Sequence, residues 1–339
     1  MESVTDVKIL RLAKMLEGDG GVALVSHLRP DGDALGSLAA AASYLDTVLG
    51  KEVTVLVDDD VPQGLGFILD GISCSSDCSV LDSCSLVLAL DINSLDRTGR
   101  FEQALRECGA QKVLIDHHQN TAVEEFDLVF SSVEVSSACE LEYRVLKALE
   151  NGSLERIPLK SLTALMCGMT TDTNNFANSV WPSTLQMASE LLAAGVDRDG
   201  IIDRIFNSCR ENRVRAVSYL LSNKLVIDGK FAFVVVNEED RRRFGLRDGE
   251  LEGMVNIPLS IAGVRLSATF TEDDGFYRVS LRSKKDVSAI RFARQFFHGG
   301  GHEQAAGGRI HIPGDLRDKN EIQAYVTGLA ARFLQENPA

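Results

Sequence analysis

Four short polar islands in this chain carry residue types that hold divalent cations: His27-Leu-Arg-Pro-Asp31-Gly-Asp33, then Asp91, then Asp116-His117-His118, then Asp172. Each closes an apolar run, and together they supply five aspartates and three histidines outside any long charged tract. Carboxylate and imidazole are the ligands that hold two divalent first-row ions side by side, a common device for phosphate-ester hydrolysis at neutral pH. Asp31 and Asp33 are two positions apart, so their carboxylates can diverge toward different ions, with Pro30 and Gly32 fixing and relaxing the backbone between them. Taken alone, each island has a plain structural reading: a turn with a helix N-cap, or the last turn of a helix. The weight comes from their number, because two cation sites need roughly six to eight protein ligands between them.

Asp91 ends the apolar run 85–90. An uncompensated carboxylate there is costly, and bridging two cations would compensate it. Asp116-His117-His118 follows the run 112–115, and adjacent histidines can take different tasks, one on a metal and one donating to a phosphoryl oxygen. Asp116 would then fix a ring tautomer from behind. Arg97, six positions after Asp91, suits either a phosphate or a surface salt bridge.

A second set of candidates lies near the far end of the sequence. His298, His302 and His311 accompany the glycines at 299–301 and 307–308. A glycine run lets backbone amides approach a phosphate, and an imidazole can bond to it or stack on a base; a zinc site made by the three histidines is the alternative. Arg282 and Ser283 follow the run 277–281 and could take another phosphate or a ribose. Arg241-Arg242-Arg243 reads as a solvated helix face.

The elements that must position the first set alternate in type. Apolar runs at 22–26, 53–57, 86–90 and 112–115 read as strands, separated by helical stretches at 34–49 and about 98–108, which implies a parallel sheet covered on both faces. The islands at 27, 91 and 116 each follow the carboxyl end of such a strand, where open α/β sheets place their ligands. From 137 to about 223 the pattern is mostly helical, one segment (159–169) leading into Asp172 and another (211–223) read as a connector. Beyond it come strands at 225–227, 231–236, 266–271 and 277–281, an acidic hairpin turn at 272–275, a helix from about 288, and a last helix over about 317–335. The expectation is two domains, 1–208 and 209–339.

At 339 residues the chain suits two domains, each with its own core, and 45% hydrophobic with 25% charged residues is ordinary for a soluble protein. No run approaches the roughly 18 apolar residues of a membrane span, and no signal peptide is visible. Seven cysteines without a paired zinc spacing read as reduced thiols, so a cytoplasmic location is expected. Net charge is −14, divided as −17 over residues 1–209 and +3 over 210–339. An acidic body argues against gripping long duplex DNA and suits a site where bound cations neutralise a small anion.

These residues together resemble the DHH/DHHA1 phosphoesterase family. The likeness spans His27-x3-Asp31-x-Asp33, Asp91, Asp116-His117-His118 and Asp172, then Gly299-Gly-Gly-His302-x3-Ala306-Gly307. Phe244-Gly-Leu, Glu252-Gly253, Val255-Asn-Ile-Pro258 and Leu281-Arg-Ser283 look like its nanoRNase/pAp-phosphatase branch. Asn174 departs from the pattern, standing where glycine is expected. The resemblance implies an N-terminal parallel-sheet DHH domain and a smaller α/β DHHA1 domain. It implies two cations, Mn²⁺ or alternatively Mg²⁺: one on His27, Asp31 and Asp91, the other on Asp33, Asp91, His117 and Asp172. His118 would contact the scissile phosphate with Asp116 behind it, and Arg282, Ser283, Gly300, Gly301 and His302 would bind the nucleotide; Arg97 joins the substrate-binding candidates from its place after Asp91 alone. A hydroxide activated between the ions would cleave short oligoribonucleotides and linear dinucleotides to 5′-mononucleotides, and pAp to AMP. No membrane partner is expected, and a homodimer is compatible with the chain. Alternatives are a family II inorganic pyrophosphatase, a single-strand exonuclease of the RecJ kind, and a non-catalytic nucleotide-binding regulator.

Overall fold

The apolar runs of the first half pack as neighbouring parallel strands. A computed structural model describes residues 4–58, 61–62, 64–301 and 303–336, and the chain divides into two units between Ser208 and Cys209. The first unit runs α1 (Asp6–Leu16), β1 (Gly21–Val25), α2 (Gly32–Leu49), β2 (Val53–Leu56), β3 (Cys74–Ser75), β4 (Cys84–Leu90), α3 (Glu102–Glu107), β5 (Gln111–Asp116), β6 (Leu128–Ser131), α4 (Ala138–Leu149), α5 (Leu159–Asp172), α6 (Pro182–Ala193) and α7 (Arg198–Phe206). Its strands form one all-parallel sheet in the order β3-β2-β1-β4-β5-β6. Alternate strand residues serve opposite faces. Leu24, Leu88 and Val113 join the core under α2, α4 and α5, while Val25, Val87 and Leu114 join a second core with Phe101 and Leu105. Both faces are therefore covered.

That strand order is what builds the site. β1, β4 and β5 are adjacent, so the segments leaving their carboxyl ends emerge side by side, bringing residues 27–33, Asp91 and Asp116–His118 to one edge. Asp172 joins them from the last turn of α5. Helices α2 and α5 approach through glycine: a Cβ on Gly36 would lie 2.7 Å from the Ala164 carbonyl oxygen, and one on Gly32 would lie 2.3 Å from Thr171 Oγ1. No side chain larger than hydrogen fits either position without displacing the partner helix.

The second unit comprises α8 (Glu211–Lys224), β7 (Leu225–Asp228), β8 (Phe231–Val236), α9 (Glu238–Phe244), β9 (Leu266–Asp273), β10 (Phe276–Ser283), α10 (Ala289–Phe296), β11 (Gly300–Gly301), β12 (Ala305–His311) and α11 (Ile322–Glu336). Its sheet order is β11-β12-β10-β9-β8-β7, antiparallel except for the parallel β8/β9 pair. A phenylalanine cluster that includes Phe231, Phe233, Phe270, Phe292, Phe297 and Phe333 fills its core. Two sequence readings need correction. The 211–223 segment is not a free connector: α8 buries Ala216 and Leu220, the latter packing with Val234, Val236 and Met254. The last helix begins at Ile322 rather than near 317, because a short 3-10 turn, Lys319–Glu321, precedes it. Gly300 and Gly301 form a strand paired with Gly307 and Ala306. No helix among the described residues is long and apolar enough to cross a membrane.

Candidate metal centre

The first unit gathers the island side chains into overlapping groups. Ligand atoms of His27, Asp31 and Asp91 all lie within 4.8 Å of one another, as do those of Asp33, His117 and Asp172, and those of Asp91, His117 and His118. Asp91 links them: its Oδ2 is 3.5 Å from His27 Nε2 and its Oδ1 3.5 Å from His117 Nε2. His117 Nε2 also lies 3.8 Å from both Asp33 Oδ2 and Asp172 Oδ2.

Local structure fixes most of these groups. Asp31 is the N-cap of α2, and its Oδ1 accepts from the amides of Asp33 (3.0 Å) and Ala34 (3.1 Å). Asp33 is buried, and its two oxygens accept from the Ala138 amide (2.7 Å) and the Cys139 amide (3.0 Å) at the start of α4. That is the end of a helix where free N–H groups favour an anion. His27 Nδ1 sits 3.0 Å from the Leu28 carbonyl. A carbonyl can only accept, so Nδ1 carries a proton and Nε2 faces the carboxylates. Asp116 is fully buried; its Oδ1 accepts from His118 Nδ1 at 2.7 Å and its Oδ2 from the His118 amide at 3.2 Å. Its carboxylate is thus engaged in holding His118, whose Nε2 accepts a long 3.5 Å contact from Arg97 Nη1. Arg97 is held by its own carbonyl, which accepts from the Leu28 amide at 2.8 Å.

The electrostatics are those of a cage built for positive charge. Burial, reinforced by the charge of Asp91, raises the Asp33 carboxyl to about 7. Burial and Asp33 push Asp172 well above the usual carboxylate range. For His117 burial acts downward, but Asp91, Asp172 and Asp33 more than reverse it and carry the ring to about 10. Asp91 Oδ1 is buried and accepts no hydrogen bond within normal distance from the described residues, His117 Nε2 standing off at 3.5 Å. A buried oxygen left without a donor is rare, and a cation would supply its missing partner. The donor set of carboxylates and imidazoles fits first-row divalent ions.

In the second unit, Arg282 and Ser283 end β10. The Arg282 guanidinium is largely buried and donates from Nη1 to the Leu281 carbonyl at 2.9 Å; burial lowers its pKa, with Glu252 acting in the opposite sense. Ser283 Oγ donates to Val287 O at 2.5 Å, so its proton is already committed. Gly300 has open space where a side chain would stand, whereas Gly301 (φ 128°) has the Ala305 carbonyl 2.6 Å from a would-be Cβ. His302 lies outside the described residues. His298 Nε2 bonds Asp315 Oδ1 at 3.0 Å, and the Asp315 Oδ2 accepts from the His311 amide, so these two histidines share a carboxylate. Arg241 pairs with Asp248, and Arg243 stacks on Tyr219 at 4.4 Å.

Some participants carried no sequence signal. The amides of Ala138 and Cys139 hold Asp33 from 105 and 106 residues away, and a backbone donor has no residue type to betray it. Asp58, beyond the end of β2, lines a cavity of about 30 Å³ with His27, and its position at a strand's carboxyl end was the available clue.

A carboxylate–imidazole cage at the carboxyl edge of a parallel sheet, followed by a separate mixed-sheet unit, marks the chain as a hydrolase of phosphoester bonds. It belongs to the DHH/DHHA1 phosphoesterase family: residues 21–169 match the DHH family, N-terminal domain, and residues 228–328 match the DHHA1 domain. The chain is 25% identical over 293 residues (86% of this chain, 89% of the relative) to the bifunctional oligoribonuclease and PAP phosphatase NrnA of Bacillus subtilis. It is 27% identical over 295 residues (86% and 90%) to the probable enzyme of the same name from Streptococcus mutans. Among solved structures it is similar to an exopolyphosphatase-related protein from Bacteroides fragilis, with TM-score 0.88, 29% identity and 98% of each chain covered.

Proposed function

We propose that this chain hydrolyses short RNA oligonucleotides and linear dinucleotides to 5′-mononucleotides, and pAp to AMP, using two divalent cations, Mn²⁺ or Mg²⁺. The observation that carries the reading is Asp91, buried between a His27/Asp31 group and an Asp33/His117/Asp172 group, with one oxygen toward each. His27, Asp31 and Asp91 would hold one cation; Asp33, Asp91, His117 and Asp172 the other. When bound, the cations would supply an activated water nucleophile and neutralise charge on the phosphoryl oxygens.

The protein's own groups have separate tasks in this reading. Asp116 keeps the His118 ring oriented, so that the imidazole and the Arg97 guanidinium can meet a phosphoryl oxygen together. Arg282, Gly300, Gly301 and His302 would seat the nucleotide, Arg282 as a donor to phosphate and the glycines by admitting it close to the backbone. The −17 charge of residues 1–209 disfavours long nucleic acid, whose affinity grows with the number of cationic contacts.

The test is a substrate panel with Mn²⁺: pApA, pAp, inorganic pyrophosphate, polyphosphate and long single-stranded DNA. Mononucleotide from pApA and AMP from pAp, with the other three left nearly intact, is the expected pattern. Release of orthophosphate from pyrophosphate or polyphosphate alone would overturn it, as would equal cleavage of long DNA.

A further inference from the structure

Immediately beyond Asp172 the backbone enters the left-handed region at three successive residues, Asn174 (φ 47°), Asn175 (57°) and Phe176 (64°), and again at Ser179 (53°). None of them is glycine. Asparagine tolerates this conformation, but for a bulky residue such as Phe176 it persists only where the surroundings enforce it. From the helix side, Thr173 Oγ1 donates to the Met169 carbonyl (2.7 Å) and accepts from the Phe176 amide (3.0 Å). The amides of Asn174 and Asn175 donate to the Thr171 and Thr170 carbonyls, satisfying the last turn of α5.

From the outer side, one residue grips two of the three. Arg198, the first residue of α7, donates from Nη2 to Asn175 Oδ1 and places its guanidinium 5.6 Å over the Phe176 ring. Asp172 itself has no such support. Asp31 and Asp33 are held by backbone amides, whereas among the described residues the Asp172 carboxylate makes no hydrogen bond and has His117 Nε2 at 3.8 Å. Its direction is therefore set by backbone, by the end of α5 on one side and the left-handed turn on the other.

We infer that Arg198 is a positioning residue: by clamping Asn175 and Phe176 it fixes the turn that aims Asp172 at its cation. The inference rests on the reading of Asp172 as a ligand. Outer contacts that orient a ligand typically change metal affinity by roughly 10–100-fold when removed.

The test measures Mn²⁺ binding directly, from the free-ion electron paramagnetic resonance signal, alongside thermal melting. Arg198→Ala and Asn175→Ala should each weaken one of two bound Mn²⁺ ions by about tenfold or more and leave the other unchanged. Arg198→Lys, which keeps a charge over the ring but not the planar fork, should fall between. Arg204→Ala is the control: Arg204 lies on the same helix and stacks over Phe67 at 5.0 Å, so its loss should lower the melting temperature without touching Mn²⁺ affinity. If Arg198→Ala fails to fold, Asn175→Ala decides. Wild-type affinity for both ions in Asn175→Ala and in any folded Arg198→Ala overturns the positioning role. A wild-type protein that binds no Mn²⁺ overturns the ligand reading and this inference together.

Discussion

Asp33 Oδ2 accepts a hydrogen bond from the Ala138 amide at 2.7 Å, joining the start of α2 to the start of α4 across 105 residues of chain. With the Cys139 amide on the other oxygen, the carboxylate is pinned by backbone rather than by side chains. The space around it is tight: a Cβ on Gly168 of α5 would lie 2.2 Å from Cys139 Sγ and 3.0 Å from Asp33 Oδ1.

Gly168→Ala should therefore disturb the centre while leaving every proposed ligand residue in place. Overpacking of this kind costs about 1–3 kcal/mol of stability, and displacement of Asp33 should weaken Mn²⁺ binding by roughly tenfold. Calorimetric Mn²⁺ titration of the variant checks this. Unchanged affinity would mean that Asp33 is not held by the Cys139 amide.

The site's acids and bases give a pH dependence with a definite sign. Asp33 binds its proton more tightly folded (about 7) than unfolded (about 4), so its effect is to lower stability as pH rises through that window. Asp172 is shifted in the same direction. His117, raised to about 10, contributes stability that is complete below about 6.5 and lost as pH rises through 10. The Asp91 shift is downward, so its contribution changes only in acid, below about 4. Cation-free protein should melt at a lower temperature at pH 8 than at pH 6. The rise in melting temperature on adding Mn²⁺ should be larger at pH 8, where protons compete less for the ligands. A cation-free melting temperature that climbs from pH 6 to pH 8 would contradict these shifts.

Glu142 is the odd group of the first core. It is buried, neither carboxyl oxygen makes a full hydrogen bond among the described residues, the Ser37 hydroxyl acts on it only weakly, and Leu12, Leu16, Leu88 and Ile115 share its small cavity. Burial, with the charge of Asp33 added, pushes its pKa well above the ordinary value. Glu142→Leu should stabilise the protein by about 1–3 kcal/mol. The gain should grow between pH 5 and pH 8, because the native carboxyl resists ionisation that the unfolded chain allows. Denaturant melts of both proteins at the two pH values decide it, and destabilisation at pH 8 would show that the Ser37 hydroxyl holds the carboxylate more strongly than burial opposes it.

What the residues alone made legible, and what they hid, follows from the physics of each element. β1, β4 and β5 announce themselves as continuous apolar runs because both faces of the sheet are covered. The polar residue that ends each run then stands out against it. β12, Ala305–His311, hides because two glycines and two alanines carry no strand propensity; it is a strand by virtue of its pairing to β10. Arg198 and the amides of Ala138 and Cys139 hide for a related reason: their roles come from tertiary proximity, to which local pattern is blind. Asn174 is an intermediate case. Glycine is the residue that the resemblance expects there, and the left-handed backbone (φ 47°) explains why asparagine is an acceptable substitute.

Arg282 offers the test for the second unit. It is largely buried, bonded to the Leu281 carbonyl, and carries further donors. If it meets a substrate phosphate, Arg282→Ala should raise KM by roughly 10–100-fold, the loss expected for a hydrogen bond to a charged group, with a smaller change in kcat. Steady-state kinetics on pApA with Mn²⁺ measures this. Equal loss in kcat at constant KM would assign Arg282 to the transition state instead.

In the proposed function, six side chains from three strand ends and one helix end would form a single cage for two cations, with Asp91 shared between them. Anomalous diffraction at the manganese edge, from crystals grown with Mn²⁺, tests it most directly. Two peaks are expected, one touching His27, Asp31 and Asp91, the other touching Asp33, Asp91, His117 and Asp172. A single peak, or two peaks with Asp91 on neither, would contradict it.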